Sequence, residues 1–277
     1  MRRWRAMAGL GLAALAGQAL AAPAPPVWTG CQIEHGVLVV PAKVAGLAGQ
    51  FILDTGTAQS ALDATEASLA GIEAGEAGVP VRMGGRRWAS ARMTIAALDG
   101  RTRALPTPIA GVLGADLLGG LVLTVQPDPC RFRLSGRPAH ERRPLAILPV
   151  ERLGGAPYVL AGVSDGERSR RGPMRVSTGA DLAVRLSPDA ARLEGAPPGA
   201  GDLAAPLRAL SLGEVVVEAP QAAIAAEDQP GALGEIGEPV WSRYGFSLDL
   251  RQGRLILFQV ETKETRRRRS GGSQDRR

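Results

Sequence analysis

The sequence is poor in histidine, lysine, cysteine and aromatic residues. Among 277 residues there are two histidines and two cysteines, and aromatic side chains make up 4% of the composition. The two histidines, His35 and His140, are too few for a histidine-rich metal site and give little support to a Ser-His-Asp triad. A phosphate-binding Gly-Lys-Ser/Thr loop is also missing. The sequence therefore predicts no metal and no cofactor.

Long apolar runs are missing after the first 21 residues, and we expect a soluble body because no later stretch reaches about 18 apolar residues. The N terminus itself has the pattern of an export signal. A basic start, Met1–Arg5, precedes the apolar segment Ala6–Ala16 and a small-residue cleavage motif at Ala19–Ala21. This pattern predicts a signal peptide over 1–21 and a periplasmic or secreted protein. An uncleaved inner-membrane anchor is the alternative.

The formal net charge of +6 is concentrated at the two ends of the chain. Three arginines lie in the first 21 residues, and residues 266–277 carry a net charge of +5, so residues 22–265 hold a net charge of −2. A body this close to neutral does not indicate nucleic-acid binding. We expect residues 260–277 to form a basic, disordered tail, with weak contact to a membrane surface as its alternative role.

The two cysteines, Cys31 and Cys130, both follow the predicted signal peptide. Oxidising compartments favour disulfide formation between exported cysteines. The sequence therefore predicts a disulfide between them, with two free buried thiols as the alternative.

An internal repeat with a constant offset of 123 residues organises the chain. The matching segments are Asp54–Gly56 with Ser177–Gly179, Gly111–Gly114 with Gly234–Gly237, Leu121–Val125 with Tyr244–Leu248, and Phe132–Leu134 with Leu255–Leu257. One shared offset without insertions indicates duplication. We expect lobe one over 31–135 and lobe two over 146–259, with an N-terminal linker at 22–30 and a second linker at 136–145.

Short β-rich segments between Gly and Pro residues predict an all-β fold with few helices. The predicted helical turns lie at Ala61–Leu69, Ala115–Leu118, Pro188–Leu193 and Pro239–Tyr244. Between Met83 and Arg86, two glycines favour a plain hairpin turn over a flap above a cleft.

Two segments of lobe one carry a family resemblance. The apolar strand Phe51–Leu53 runs into Asp54, Thr55, Gly56 and Thr57, and a Gly-x-x-Gly motif follows within Ile109–Leu118. Together they resemble the retropepsin-like aspartic peptidases, especially the exported bacterial members. The resemblance implies two retropepsin-like or pepsin-like β-barrel lobes with a cleft between them. It also implies a catalytic carboxylate at Asp54, supported by Thr55, Gly56 and Thr57.

Lobe two departs from this pattern at its own motif, Ser177, Thr178 and Gly179. Aspartic peptidases use two carboxylates that share one proton, and a serine hydroxyl cannot replace one of them. One hypothesis is an aspartic-type endopeptidase that hydrolyses peptide bonds with water activated by Asp54. The alternative is a weak or inactive pseudoprotease that binds extended peptides in the cleft. The chain would act as a two-lobe monomer, or as a homodimer that pairs two copies of Asp54.

Overall fold

The computed structural model describes residues 26–73, 75–137, 143–192, 207–225 and 231–260. The predicted signal peptide, the middle of the second linker and nearly all of the basic tail lie outside the described residues. Within the described part, no helix is long and apolar enough to cross a membrane. We keep the names lobe one and lobe two for 31–135 and 146–259.

The described residues of the first half form ten strands and three short helical segments. The strands are β1 Thr29–Gly30, β2 Gln32–Glu34, β3 Val37–Val44, β4 Leu47–Leu53, β5 Ala61–Asp63, β6 Gly75–Met83, β7 Arg86–Ala96, β8 Ile109–Leu113, β9 Val122–Pro127 and β10 Cys130–Ser135. The helices are α1 Ala64–Leu69, α2 Asp99–Thr102 and a 3-10 helix over Ala115–Leu118.

The described residues of the second half add ten strands and two short helices. The strands are β11 Ala146–Leu153, β12 Ala156–Ser164, β13 Ser169–Val176, β14 Val184–Leu186, β15 Ala209–Leu212, β16 Val215–Glu218, β17 Ala222–Ile224, β18 Gly234–Ile236, β19 Gly245–Asp249 and β20 Arg254–Phe258. The helices are α3 Pro188–Arg192 and α4 Glu238–Trp241. This content confirms the predicted all-β, two-lobe class.

Lobe one is built on a closed sheet. Its strand order is β2-β3-β4-β8-β5-β7-β6, and β6 also pairs with β3, which closes the sheet into a barrel. Leu38, Phe51 and Met93 are fully buried in its core. Burying apolar side chains of this size stabilises the barrel by roughly 1.5–3 kcal/mol each.

A second sheet continues from one lobe into the other. Strands β9 and β19 pair antiparallel where the two lobes meet, and Thr124 lies opposite Ser247. The hydroxyl groups of these two residues are hydrogen-bonded at 3.0 Å. Because the two residues are related by the repeat offset, each lobe meets the other through the same position, as across a local two-fold axis.

Two local features follow from this topology. The residues predicted as one helical turn, Ala61–Leu69, divide into β5 and α1, because Ala61–Asp63 pairs with both β7 and β8. The hairpin turn after Met83 packs against β10, where Arg86 Nε donates to the carbonyl of Leu134 at 3.2 Å. It is a plain turn rather than a flap over the cleft.

The predicted disulfide is present between Cys31 and Cys130. Their Cα atoms are 5.1 Å apart, and Cys31 N donates to the carbonyl of Cys130 at 3.1 Å. The bond ties the N-terminal strands to β10 and so to the shared sheet.

Candidate active site

Two equivalent turns meet at the centre of the molecule, one at the end of β4 and one at the end of β13. Each turn is fixed by the same backbone contact to the neighbouring strand. Asp54 N donates to the carbonyl of Leu113 at 2.9 Å, and Ser177 N donates to the carbonyl of Ile236 at 3.0 Å. The repeat therefore places Ser177 where the partner of Asp54 is expected.

The two turns are locked together by their threonines. Thr55 Oγ1 donates to the carbonyl of Val176 at 2.7 Å, and Thr178 Oγ1 donates to the carbonyl of Leu53. Thr178 Oγ1 also accepts from Thr55 N at 3.1 Å. Both threonines are fully buried, so these bonds are shielded from competition with water.

Gly56 and Gly179 leave no room for a side chain, because each lies against the opposite turn. A Cβ atom on Gly56 would lie 2.6 Å from Cβ of Ser177, and one on Gly179 would lie 2.5 Å from Cγ of Asp54. Both distances are shorter than van der Waals contact allows. The two glycines thus set the separation of the lobes at this point.

The carboxylate of Asp54 is surrounded by hydrogen-bond donors. Its Oδ1 accepts from Gly56 N at 2.8 Å, from Ser177 Oγ at 2.9 Å and from Gly179 N at 3.2 Å. Its Oδ2 accepts from Thr57 Oγ1 at 2.6 Å, as the family resemblance implied. The sequence-predicted residues of both motifs are therefore brought together around one carboxylate.

Arg101 is a site residue that sequence reasoning missed. It lies in α2, within the connection from β7 to β8, and its Nη2 donates to Asp54 Oδ2 at 2.7 Å. The same guanidinium contacts Thr57 Oγ1 at 3.2 Å and the carbonyl of Gly179 at 3.3 Å. It thereby bridges the two turns on the open side of the carboxylate.

Electrostatics keep Asp54 ionised. Burial by itself would raise the pKa of Asp54, but the charge of Arg101 and the hydrogen bonds from Thr57, Arg101 and Ser177 outweigh it. The net result is a pKa below the usual value of an aspartate. At neutral and mildly acidic pH the group is therefore an anion paired with a cation.

Other carboxylates near the motifs are engaged elsewhere. Asp181 Oδ1 accepts from Arg185 Nη2 at 2.7 Å, and Asp116 Oδ1 accepts from Ser60 Oγ at 2.8 Å. Ser60 Oγ in turn accepts from Gly114 N at 2.9 Å, which gives Asp116 a structural part in the Gly-x-x-Gly turn. Among the described residues, no second carboxylate is recorded in hydrogen-bond contact with Asp54.

The site opens into a cavity of about 440 Å³ between the lobes. The lining residues from lobe one include His35, Val37, Arg101 and Leu105, and those from lobe two include Arg175, Asp181, Arg185 and Glu235. This volume lies within the range of ligand-binding clefts. The cavity thus has a charged wall on the side of lobe two, formed by Arg175, Arg185 and Glu235, while Arg101 lies beside Asp54 on the side of lobe one.

Comparison with known proteins identifies the fold but no closer relationship. No protein-family model matches the chain, and neither does any curated protein. Among solved structures, the crystal structure of an aspartic proteinase from Irpex lacteus matches with a TM-score of 0.53 and 13% sequence identity. The match covers 87% of this chain and 99% of that chain. The chain therefore has the two-lobe aspartic-proteinase fold.

Proposed function

We propose that this protein binds extended peptides in the cleft between its lobes and has little or no peptidase activity. The observation that carries the proposal is the environment of Asp54: Arg101 is bound to its Oδ2, and Ser177 donates to its Oδ1. The proposed relationship to retropepsin-like proteins is supported by the two Asp-Thr-Gly-type turns and their threonine lock.

The chemistry of amide hydrolysis explains why this environment disfavours catalysis. In an aspartic peptidase, one carboxylate accepts a proton from the attacking water while a protonated partner donates to the carbonyl oxygen. Ser177 offers only a weakly acidic hydroxyl in the partner's place. The guanidinium of Arg101 lies on the remaining face of Asp54 and makes it a weaker base by holding its pKa low.

Peptide binding needs less than catalysis does. The cavity, its two walls and the locked turns do not depend on a second carboxylate. Clefts between β-rich lobes accommodate extended chains through strand-like contacts. A bound chain would lie across the turns, between lobe one and the charged wall of lobe two.

Endopeptidase activity is the second candidate, and the intact threonine lock favours it. The lock and the donors to Asp54 Oδ1 would orient a catalytic carboxylate without change. For Asp54 to activate water, Arg101 would have to move away from Oδ2 when substrate binds.

One experiment separates these two functions. The purified protein is incubated with a peptide library from about pH 3 to about pH 8, and products are detected by mass spectrometry. We expect no cleavage by the wild type. A Ser177→Asp, Arg101→Ala double variant should cleave at acidic pH, because it restores two carboxylates and removes the cation.

The matched control carries Asp54→Asn in both backgrounds. Wild-type cleavage that disappears in the Asp54→Asn variant would establish the endopeptidase instead. A fluorescently labelled form of the same library tests binding by anisotropy, and a library that never binds would refute the cleft-binding function.

The remaining parts of the proposal concern assembly and location. Pairing two copies of Asp54 would require lobe two to give up both its threonine lock and its β9–β19 pairing, so we propose a monomer. Light scattering measures this directly. We also propose export, which the disulfide supports, with weak membrane-surface contact for the basic tail.

A further inference from the structure

The charged wall of lobe two is an ordered row across three neighbouring strands. Glu235 on β18 is opposite Arg175 on β13 in a parallel pairing and opposite Arg185 on β14 in an antiparallel pairing. Residues opposite one another on paired strands project from the same face of a sheet. One carboxylate therefore lies between two arginines.

The two arginines differ in how they are used. Arg175 Nε donates to Glu235 Oε1 at 3.1 Å, and the Glu235 side chain is 9% exposed. Arg185 Nη2 donates to Asp181 at 2.7 Å, and the Asp181 side chain is 61% exposed. The Nε of Arg185 is buried and has no hydrogen-bond partner among the described residues.

Because Asp181 is exposed, a ligand can displace it from its arginine more easily than it can displace Glu235. An ion pair as exposed as Arg185–Asp181 contributes at most about 1 kcal/mol, so Asp181 can leave Arg185 at little cost. Glu235 is held within the sheet and stays. With Asp181 turned away, the row presents two guanidinium groups against one carboxylate and has a net charge of +1.

The position of this row puts it beside any ligand in the cleft. Arg175 is two residues before Ser177, which directly follows β13, and both residues line the cavity. Arg175, Arg185 and Glu235 line the same cavity as Asp54. On the opposite side, Val37 and Leu105 carry no charge, and Arg101 is bound to Asp54.

We propose that Arg175 and Arg185 form a carboxylate subsite, at which the cleft selects peptides that place an acidic group beside the Ser177 turn. This inference rests on the proposed peptide-binding function. Arginine suits this task because its planar fork of N–H donors matches a carboxylate. Asp181 acts as an internal competitor that occupies Arg185 until the ligand arrives.

The test uses matched, fluorescently labelled peptides of alanine, valine and leucine that differ at one position, Glu in one set and Gln in the other. Each is made with an amidated and with a free C terminus, and affinity is measured by anisotropy. We expect the Glu peptide to bind about tenfold more tightly than the Gln peptide. If the free C terminus alone gives this gain, the ligand's terminal carboxylate is the group recognised.

Variants show whether the row is responsible. Arg185→Gln should abolish the preference for Glu, Arg185→Lys should keep part of it, and Asp181→Asn should increase it. Arg82→Gln, an exposed arginine of lobe one, is the matched control and should leave the preference unchanged. A purely structural role of Arg185 would weaken Glu and Gln peptides equally.

The outcomes separate this inference from the function on which it rests. Equal binding of all matched peptides overturns the carboxylate subsite and leaves peptide binding in place. Binding of none of the peptides overturns both. A preference for Glu that survives Arg185→Gln also overturns the subsite.

Discussion

The two lobes share their framework and differ in the side chains that face the cleft. Asp54 corresponds to Ser177, Thr57 to Ala180, and the apolar pair Ile52 and Val112 to the ion pair Arg175 and Glu235. The threonine lock and the backbone contacts of both turns are the same. The difference teaches that this framework depends on glycine, threonine and backbone groups, while the cleft residues are free to take on other chemistry.

The apolar pair of lobe one is also covered, whereas the ion pair of lobe two lines the cavity. Ile52 and Val112 form a small cluster with Val37 and Val39, packed under the β7–β8 connection. That connection carries Arg101 onto Asp54. The same segment therefore seals the wall of lobe one and neutralises its carboxylate.

The largest expected effect concerns the disulfide, which only lobe one has. Replacing Cys31 and Cys130 by serine should lower the free energy of unfolding by about 4 kcal/mol, because the bond closes a loop with a sequence separation of 99. Urea denaturation measures the loss. Limited proteolysis should then cut lobe one before lobe two, and cleavage of lobe two first would contradict this assignment.

Alanine at either turn glycine should have the next largest effect. Gly56→Ala and Gly179→Ala should each cost about 2–3 kcal/mol, since the new Cβ meets the opposite turn. Thermal unfolding compares them with Gly119→Ala, whose Cβ would have no atom within 4 Å. An equal loss of stability in Gly56→Ala and Gly179→Ala supports a framework shared by the two lobes. A loss no greater than that of Gly119→Ala would argue against it.

A buried glutamate of lobe two gives the third comparison. Glu238 takes the place of Ala115, is fully buried, and its carboxyl oxygens have no hydrogen-bond partner among the described residues. Burial raises its pKa well above the usual value. The raised pKa therefore contributes to the stability of the folded protein below the pKa of an unfolded glutamate. This stability is lost as pH rises through the folded pKa.

Glu238→Gln should accordingly stabilise the protein by roughly 1–3 kcal/mol at about pH 7. The gain should fade as the pH falls toward the unfolded value of about 4.3, where the wild-type side chain is also neutral. Denaturation across this range measures it, with the exposed Glu218→Gln as control. A gain that is the same at both ends of the range would rule out titration of Glu238 as its cause.

The smallest expected effect is that of Arg101→Gln. The lowered pKa of Asp54 contributes stability above the unfolded value of about 3.9, and this contribution is lost as pH falls through the folded pKa. Because Arg101 is 39% exposed, we expect a loss of only about 1 kcal/mol at about pH 7. The difference in free energy of unfolding between Arg101→Gln and the wild type, measured by denaturation, should narrow on acidification. The control variant Arg82→Gln should show no such difference.

Much of the site could be predicted from the sequence because it follows from the repeat. The offset of 123 identified Ser177 as the partner of Asp54, and the family resemblance indicated Thr55, Gly56 and Thr57 as residues that support the carboxylate. The compartment argument predicted the disulfide. These features depend on local motifs, which sequence patterns record.

The rest depends on three-dimensional arrangement that no motif records. Arg101 reaches Asp54 because the β7–β8 connection, which contains α2, packs against lobe one, and nothing in its sequence distinguishes Arg101 from its neighbour Arg103. The row of Arg175, Glu235 and Arg185 requires the register of three strands. Glu238 runs against the expectation that an unpaired carboxyl lies at the surface.

The contact of Thr124 with Ser247 has a consequence for what half of this molecule could do alone. Here β9 and β19 cover one another, so each lobe protects the other's unpaired backbone groups. Lobe one without lobe two would expose β9 as an open edge, a ready template for another strand. In the absence of β19, the edge of β9 could pair with the same strand of a second copy of lobe one. The same contact that completes the monomer would make an isolated lobe prone to self-association.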